Sequence, residues 1–129
     1  MRTAFAAAAA ILVIGLAWQG PGRAALNKMT NQQPAMELLV FEHPDCTYCQ
    51  AFRARIVPQY QRSAHAAEVP LRFVDVSQTG TELAALKAPI SMVPTAVVMK
   101  NGQEVDRIAG YWGSGNFFKM VAFIIGRAE

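Results

Sequence analysis

The chain has 129 residues, about the length of one small domain. Hydrophobic residues make up 53% of it and charged residues 16%, which excludes a disordered or fibrous protein. The formal net charge of +3 comes from scattered basic residues, so it is weak evidence for a nucleic-acid partner, and we expect none.

Residues 1–24 have the layout of a secretory signal peptide. Arg2 precedes fifteen uncharged residues, 4–18, and a stretch that contains Gly and Pro follows them. A cut after Ala24 would leave small residues at the two recognition positions. The alternative is an uncleaved membrane anchor, although a span needs about 20 apolar residues. Either way the domain is exported, and residues 25–35 are predicted to form a linker before it.

The first half of the domain alternates between predicted strands and helices. Residues 38–41 form a short apolar run that is typical of a buried strand. A helix is predicted over residues 45–67, with Asp45 as its N-cap and an interruption at Pro58, because proline removes a backbone donor. A second strand over residues 71–76 and a short helix over residues 81–87 follow.

The second half predicts a hairpin and a closing helix. A strand over residues 95–99 leads into an Asn-Gly turn at 101–102, and a fourth strand returns over 104–109. The closing helix is predicted over residues 116–125, with Gly126 as its stop. Its inner face is expected to hold Phe117, Met120, Val121, Ile124 and Ile125. The order predicts an α/β fold with a mixed four-stranded sheet and helices on both faces.

The two cysteines of the chain, Cys46 and Cys49, form a Cys-x-x-Cys between the first strand and the first helix. A helix N-terminus stabilises a thiolate, so we predict that Cys46 is the nucleophile and that Cys49 resolves the mixed disulfide. The pair would then alternate between dithiol and disulfide. A purely structural disulfide or half of a zinc site is the alternative, but four zinc ligands would have to include His43 and His65. We therefore expect no bound metal.

Charged neighbours of the first cysteine act in opposite directions. Asp45 adds a negative charge, which raises the pKa of a nearby thiol, and a cationic His43 would lower it. The sequence predicts no net direction.

A second informative stretch is Val93-Pro94-Thr95, which stands at the mouth of the third strand. A cis Val93–Pro94 bond would turn the Val93 backbone outward, where it could pair with an extended peptide. An ordinary trans turn is the alternative, and base rates favour it. The methionines at 92, 99 and 120 are expected to fill the core.

A glycine-rich turn after the fourth strand carries two aromatic residues, Tyr111 and Trp112. Either they pack under the last helix, or they line a groove for a partner.

These features together resemble the thioredoxin family over residues 36–126. The resemblance consists of a strand, a Cys-x-x-Cys that opens a helix, Val-Pro-Thr about 45 residues later, then Gly110 and a closing helix. It implies a thioredoxin-like fold and a thiol–disulfide oxidoreductase that acts on protein thiols and disulfides. The sequence holds no nicotinamide or flavin motif. We therefore expect no small-molecule cofactor, and a membrane or periplasmic protein as electron donor.

The same resemblance assigns further site residues. It implies that Pro94 is cis beside Cys46 and that Val93 helps to bind the substrate chain. Tyr48 and Thr95 complete the expected substrate-binding set.

Short motifs are similar to a narrower group. Glu-His-Pro-Asp-Cys at 42–46, Gly-Gln-Glu-Val at 102–105 and Arg-Ile-Ala-Gly-Tyr at 107–111 resemble the exported thioredoxins of bacterial thiosulfate oxidation, the SoxS type. The likeness implies a periplasmic reductant of partner-protein cysteines, either free or tethered to the membrane.

The chain departs from the family pattern at several positions. Val40 and Leu71 stand where cytosolic thioredoxins carry a buried Asp and a facing Lys. Glu42 is a candidate substitute proton acceptor, or is simply an exposed residue at a strand end. Thr-Tyr replaces the usual Gly-Pro between the cysteines, so the redox potential cannot be transferred from the family. The alternative function is a non-catalytic binding module or redox sensor on the same fold.

Overall fold

A computed structural model describes residues 34–78 and 80–129. The predicted signal peptide, its anchor alternative and most of the linker lie outside these residues. The four strands of the described part are β1 (Met36–Glu42), β2 (Leu71–Asp75), β3 (Thr95–Lys100) and β4 (Gln103–Ala109). Its five helices are α1 (Thr47–Arg55), α2 (Val57–Gln61), α3 (His65–Glu68), α4 (Thr81–Ala84) and α5 (Ser114–Ala128). None of these helices has the length and apolar character needed to cross a membrane.

The strands form one mixed sheet in the order β2-β1-β3-β4. β1 runs parallel to β2, while β3 is antiparallel to both β1 and β4. The apolar run of β1 is at most 1% exposed from Leu38 to Phe41, because both faces of the sheet are covered. The predicted fold class is confirmed.

The predicted helix over residues 45–67 is divided into three helices. The first break follows Arg55, and Pro58 lies in the first turn of α2, where its missing N–H needs no partner. The helix predicted over residues 81–87 is also shorter than expected and ends at Ala84. Beyond that end, the backbone N–H of Lys87 donates to a carboxylate oxygen of Glu104 at 2.7 Å. A side chain from another strand therefore takes a donor that a longer helix would use.

The closing helix α5 is longer than predicted, and Gly126 does not end it. Met120 is 40% exposed and does not belong to the buried face, because it lies at the edge of the stripe formed by the other predicted positions. That stripe is buried and consists of Phe117, Val121, Ile124, Ile125 and Ala128. Met99 fills the core as predicted, whereas Met92 is 50% exposed, so the prediction for it is wrong.

Helices cover the two faces of the sheet unequally. On one face, α1 and α5 meet around the ring of Phe52, which makes edge-on contacts with Phe73, Tyr111 and Phe117. On the other face, residues 85–90 join the short α4 in covering the strands, with Leu86 and Ile90 packed on the sheet. The chain that leads to Val93-Pro94 is therefore part of the core packing.

Candidate active site

The two cysteines stand at the start of α1. Cys46 is the N-cap, and its Sγ accepts a hydrogen bond from the backbone N–H of Cys49 at 3.0 Å. The two residues form a disulfide with a Cα–Cα distance of 5.2 Å. Cys46 is half-buried, whereas Cys49 is 2% exposed. A partner protein can therefore reach only the first sulfur.

The prediction that Asp45 caps this helix is wrong. Its side chain is 94% exposed, and its own backbone N–H donates to Nδ1 of His43 at 3.3 Å. The helix begins one residue later than predicted, which makes Cys46 both the cap and the reactive residue. A sulfur in the N-cap position accepts one of the free N–H groups of the first turn, as a capping oxygen would.

The loop between α4 and β3 also approaches the disulfide. The Val93–Pro94 bond is cis, and the carbonyl oxygen of Val93 lies 3.7 Å from Sγ of Cys46. Pro94 is buried, and its carbonyl oxygen accepts the N–H of Gly110 at 2.8 Å. The hydroxyl of Thr95, a residue that is 2% exposed, donates to the carbonyl of Met92 at 2.8 Å. Thr95 thus holds the loop from inside the protein.

Three exposed apolar side chains lie around this position, and we call them the apolar rim: Tyr48, Met92 and Trp112. Tyr48 and Trp112 are each 67% exposed, and Met92 is 50% exposed. A Cβ at Gly110 would come within 3.3 Å of the indole nitrogen of Trp112 and 3.5 Å of the sulfur of Met92, so both residues flank this glycine. The indole N–H donates to the carbonyl of Ala109 at 2.7 Å, which fixes the ring while leaving its face open.

Of the two aromatic residues after β4, only one packs in the core as the first alternative predicted. Tyr111 packs against Phe52 in the core, whereas Trp112 stands outside. The sequence analysis did not predict that Met92 lies on the surface near the cysteines. Its position directly before Val93-Pro94 could have indicated this.

The comparisons with known proteins agree with this geometry. A family model for a thioredoxin-like domain matches residues 23–125, which is most of the chain. The chain belongs to the thioredoxin-like family. With its disulfide-forming Cys-x-x-Cys, it is a thiol–disulfide oxidoreductase whose substrates are protein thiols. No curated protein matches the chain.

Solved thioredoxins share this fold. The reduced periplasmic thioredoxin SoxS from Paracoccus pantotrophus is 35% identical, with a TM-score of 0.67 over 73% of this chain and 99% of that one. Fasciola hepatica thioredoxin is 25% identical, with a TM-score of 0.56 over 77% of this chain and 90% of that one. Malassezia sympodialis thioredoxin, at 22% identity, shares the fold with a TM-score of 0.56 over 81% and 88%.

This thioredoxin-like domain replaces the buried polar pair of cytosolic thioredoxins with apolar packing. Val40 is fully buried and pairs with Phe73 on β2, while the half-buried Leu71 pairs with Leu38. Both positions face the same core cluster. A proton acceptor for Cys49 at these two positions is therefore excluded.

Glu42 lies at the end of β1 and forms an ion pair with Arg53 of α1. Nε of Arg53 donates to Oε2 of Glu42 at 2.8 Å, and a second guanidinium nitrogen reaches Oε1. The hydrogen bond with Glu42 raises the pKa of Arg53, whose guanidinium also lies 3.5 Å above the ring of Phe73. The Glu42 carboxylate, 16% exposed, is therefore held by a cation on the helix that carries the cysteines.

His43 lies between the strand and the disulfide. Its Nδ1 is 4.0 Å from a carboxylate oxygen of Asp45, and its side chain is 43% exposed. In the part of the chain that the structure describes, no three His, Cys, Asp or Glu side chains are grouped as metal ligands would be.

Proposed function

We propose that this protein is an exported reductant that passes electrons from its cysteine pair to disulfides of partner proteins. The observation that carries the proposal is the position of Cys46, which caps a helix, is partly exposed to solvent and faces the carbonyl of Val93. Cys49 lies one helical turn below, buried and within bonding distance. The apolar rim offers a surface for a partner segment.

The reaction is a two-step exchange. In the reduced protein, the thiolate of Cys46 attacks one sulfur of the partner disulfide, that S–S bond breaks, and the other partner sulfur leaves as thiolate. Cys49 then attacks Cys46 Sγ, releases the second partner sulfur, and closes the Cys46–Cys49 disulfide. Two electrons pass to the partner, whose two sulfurs leave as thiolates. One of them takes the proton that Cys49 gives up, and the other takes a proton from water.

The helix N-terminus favours the thiolate form of Cys46, since unpaired N–H groups stabilise its charge. We propose that Glu42, His43 and Asp45 tune the charge state of the pair. Glu42, fixed by Arg53, is a proton acceptor candidate for the resolving step, and Asp45 and His43 act on the first sulfur.

Substrate binding is assigned to the loop and the apolar rim. An extended partner segment pairs with the backbone of Val93 beside Pro94, and Tyr48 contacts it from the helix side. Thr95 contributes by holding the carbonyl of Met92.

Export rests on the signal-peptide layout of residues 1–24 and on the likeness to a periplasmic thioredoxin. A periplasmic or membrane dithiol protein returns the electrons by the reverse exchange. The motif resemblance supports a partner protein from bacterial sulfur oxidation as part of this proposal. Cleavage after Ala24 releases the domain, and retention of the segment tethers it.

Two measurements test the proposal. Equilibration of the pair with glutathione should give a potential of about −250 mV or below, whereas a value near −120 mV would identify an oxidant. Insulin reduction in dithiothreitol should exceed the rate of the reagent alone, and the Cys46→Ser, Cys49→Ser double variant should not. A folded protein without such a rate would favour the alternative, a non-catalytic binding module or redox sensor.

A further inference from the structure

A partly buried ion pair lies on the edge strand β4, away from the cysteines. The carboxylate of Glu104 is 3% exposed. Its Oε1 accepts from Nε of Arg107 at 2.6 Å, and its Oε2 accepts from Nη2 of the same residue at 2.6 Å. This is the two-point geometry that a planar guanidinium makes with a carboxylate.

The ion pair also forms hydrogen bonds with the backbone of the loop that follows α4. Oε2 of Glu104 accepts the backbone N–H of Lys87 at 2.7 Å. Arg107 donates from Nη2 to the carbonyl of Ala88 at 2.8 Å and from Nη1 to that of Pro89 at 3.1 Å. Three consecutive loop residues are thus bound through their backbones by one pair of side chains.

The residue that follows β4 holds the far end of this loop. Gly110, directly after β4, donates its N–H to the carbonyl of Pro94 at 2.8 Å. Between the two attachments, Ile90 packs on the second core cluster, and the carbonyl of Val93 faces Cys46. The loop over residues 88–94 is therefore attached to Arg107 of β4 at one end and to Gly110, just after β4, at the other, and Val93 lies between these attachments.

We propose that Arg107, together with Glu104, is a positioning residue for disulfide exchange, because it sets the Val93-Pro94 loop against Cys46. The inference rests on the proposed function. Charged pairs that are buried contribute little net stability compared with apolar residues, so stability alone does not explain this pair. A lysine could keep the charge at 107, but it lacks the planar fork that reaches two carboxylate oxygens and two carbonyls.

The test compares three variants in insulin reduction and in alkylation of reduced Cys46 by iodoacetamide. Arg107→Lys and Arg107→Met should lower kcat/KM for insulin about 10- to 100-fold, mainly through KM, because the substrate backbone meets a displaced loop. The rate of alkylation should stay within about twofold of wild type, since a small reagent reaches Cys46 without binding to the Val93-Pro94 loop. Arg127→Met is the matched control. It removes an exposed arginine of α5 that lies 3.5 Å from Asp106, a residue of the strand that carries Arg107.

Folding of the variants needs its own control. Arg107→Met leaves the carboxylate of Glu104 buried without its cation, and this can unfold the protein. The double variant Glu104→Gln, Arg107→Met removes both charges together and should show the same loss of kcat/KM. Insulin reduction at the wild-type rate in Arg107→Lys, or a parallel loss of alkylation, would overturn the proposal.

Amide hydrogen exchange gives a readout that needs no activity. The N–H groups of Gly110 and Lys87 should exchange at least about tenfold faster in Arg107→Lys, while those of β1 and β3 should not change. Unchanged exchange at Gly110 would contradict the proposal whatever the insulin rate. If the wild-type protein fails to reduce insulin, the proposed function falls, while faster exchange at Gly110 would still show that Arg107 holds the loop.

Discussion

The carbonyl oxygen of Val93 lies 3.7 Å from Sγ of Cys46, although 47 positions separate the two residues. An extended segment that pairs with the Val93 backbone would therefore run directly past the reactive sulfur. The apolar rim lies beside the same position, so side chains of the proposed segment would meet Met92 and Trp112. Binding and chemistry are thus assigned to one small surface, and this arrangement can be tested residue by residue.

The roles of the two cysteines predict different trapping behaviour. Cys49→Ser should accumulate a mixed disulfide between Cys46 and a partner protein, because the resolving sulfur is gone. Cys46→Ser should trap little, since Cys49 is buried. Non-reducing gel electrophoresis of the exported fraction, followed by mass spectrometry of the linked peptides, checks both. Trapping through Cys49 in the Cys46→Ser variant would show that the roles are reversed.

Trp112 should contribute to substrate affinity. We expect Trp112→Ala to raise KM for insulin about threefold to tenfold with little change in kcat, because a large aromatic contact is lost. Phe123→Ala is the matched control, since Phe123 is 63% exposed on α5 and Trp112 is 67% exposed. Steady-state kinetics measures both variants. An equal change of KM in the two variants would show that Trp112 makes no specific contribution to substrate binding.

The negative charge of Asp45 should slow the first step of exchange. Asp45→Asn is expected to increase the alkylation rate of Cys46 at pH 7 about twofold to fivefold, because a like charge beside the thiolate disfavours it. The gain should shrink at high salt, since the Asp45 side chain is 94% exposed. Glu68→Gln, which removes an exposed charge from α3, should leave the rate unchanged. A slower reaction in Asp45→Asn would mean that the carboxylate assists the sulfur through a contact.

The buried hydroxyl of Tyr60 should make the free energy of unfolding depend on pH in the alkaline range. Its ring is 1% exposed, its hydroxyl donates to the carbonyl of Val69 at 2.6 Å, and burial raises its pKa to about 12. The unfolded chain loses this proton near the ordinary value of 10.0, so the folded state binds more protons between these limits. The free energy of unfolding should therefore fall as the pH rises from 10 towards 12.

Urea unfolding of Tyr60→Phe measures this contribution. At pH 7 the variant should be less stable by about 1 kcal/mol, the usual net value of one hydrogen bond. Its stability should fall less steeply than that of wild type above pH 10. Tyr48→Phe changes an exposed ring and serves as the control. Parallel alkaline curves for Tyr60→Phe and wild type would show that Tyr60 does not carry the effect.

Several features could be read from the sequence because they depend on neighbours in the chain. The apolar run at 38–41 predicts a strand buried on both faces, and the Asn-Gly at 101–102 predicts the hairpin turn that the structure contains. The Cys-x-x-Cys between a strand and a helix predicts the chemistry, because a helix N-terminus acts on whatever residue stands there. Local spacing alone determines each of these features.

Other features were decided only by the tertiary structure. They depend on which distant segments meet. Examples are the exposure of Met92, the core packing of Tyr111 beside the exposed Trp112, and the hydrogen bonds from Arg107 to the carbonyls of residues 88 and 89. No local pattern contains that information, because a side chain is buried, exposed or bound according to neighbours from other strands. The sequence thus determined the cysteine pair, and long-range packing decided what lies around it.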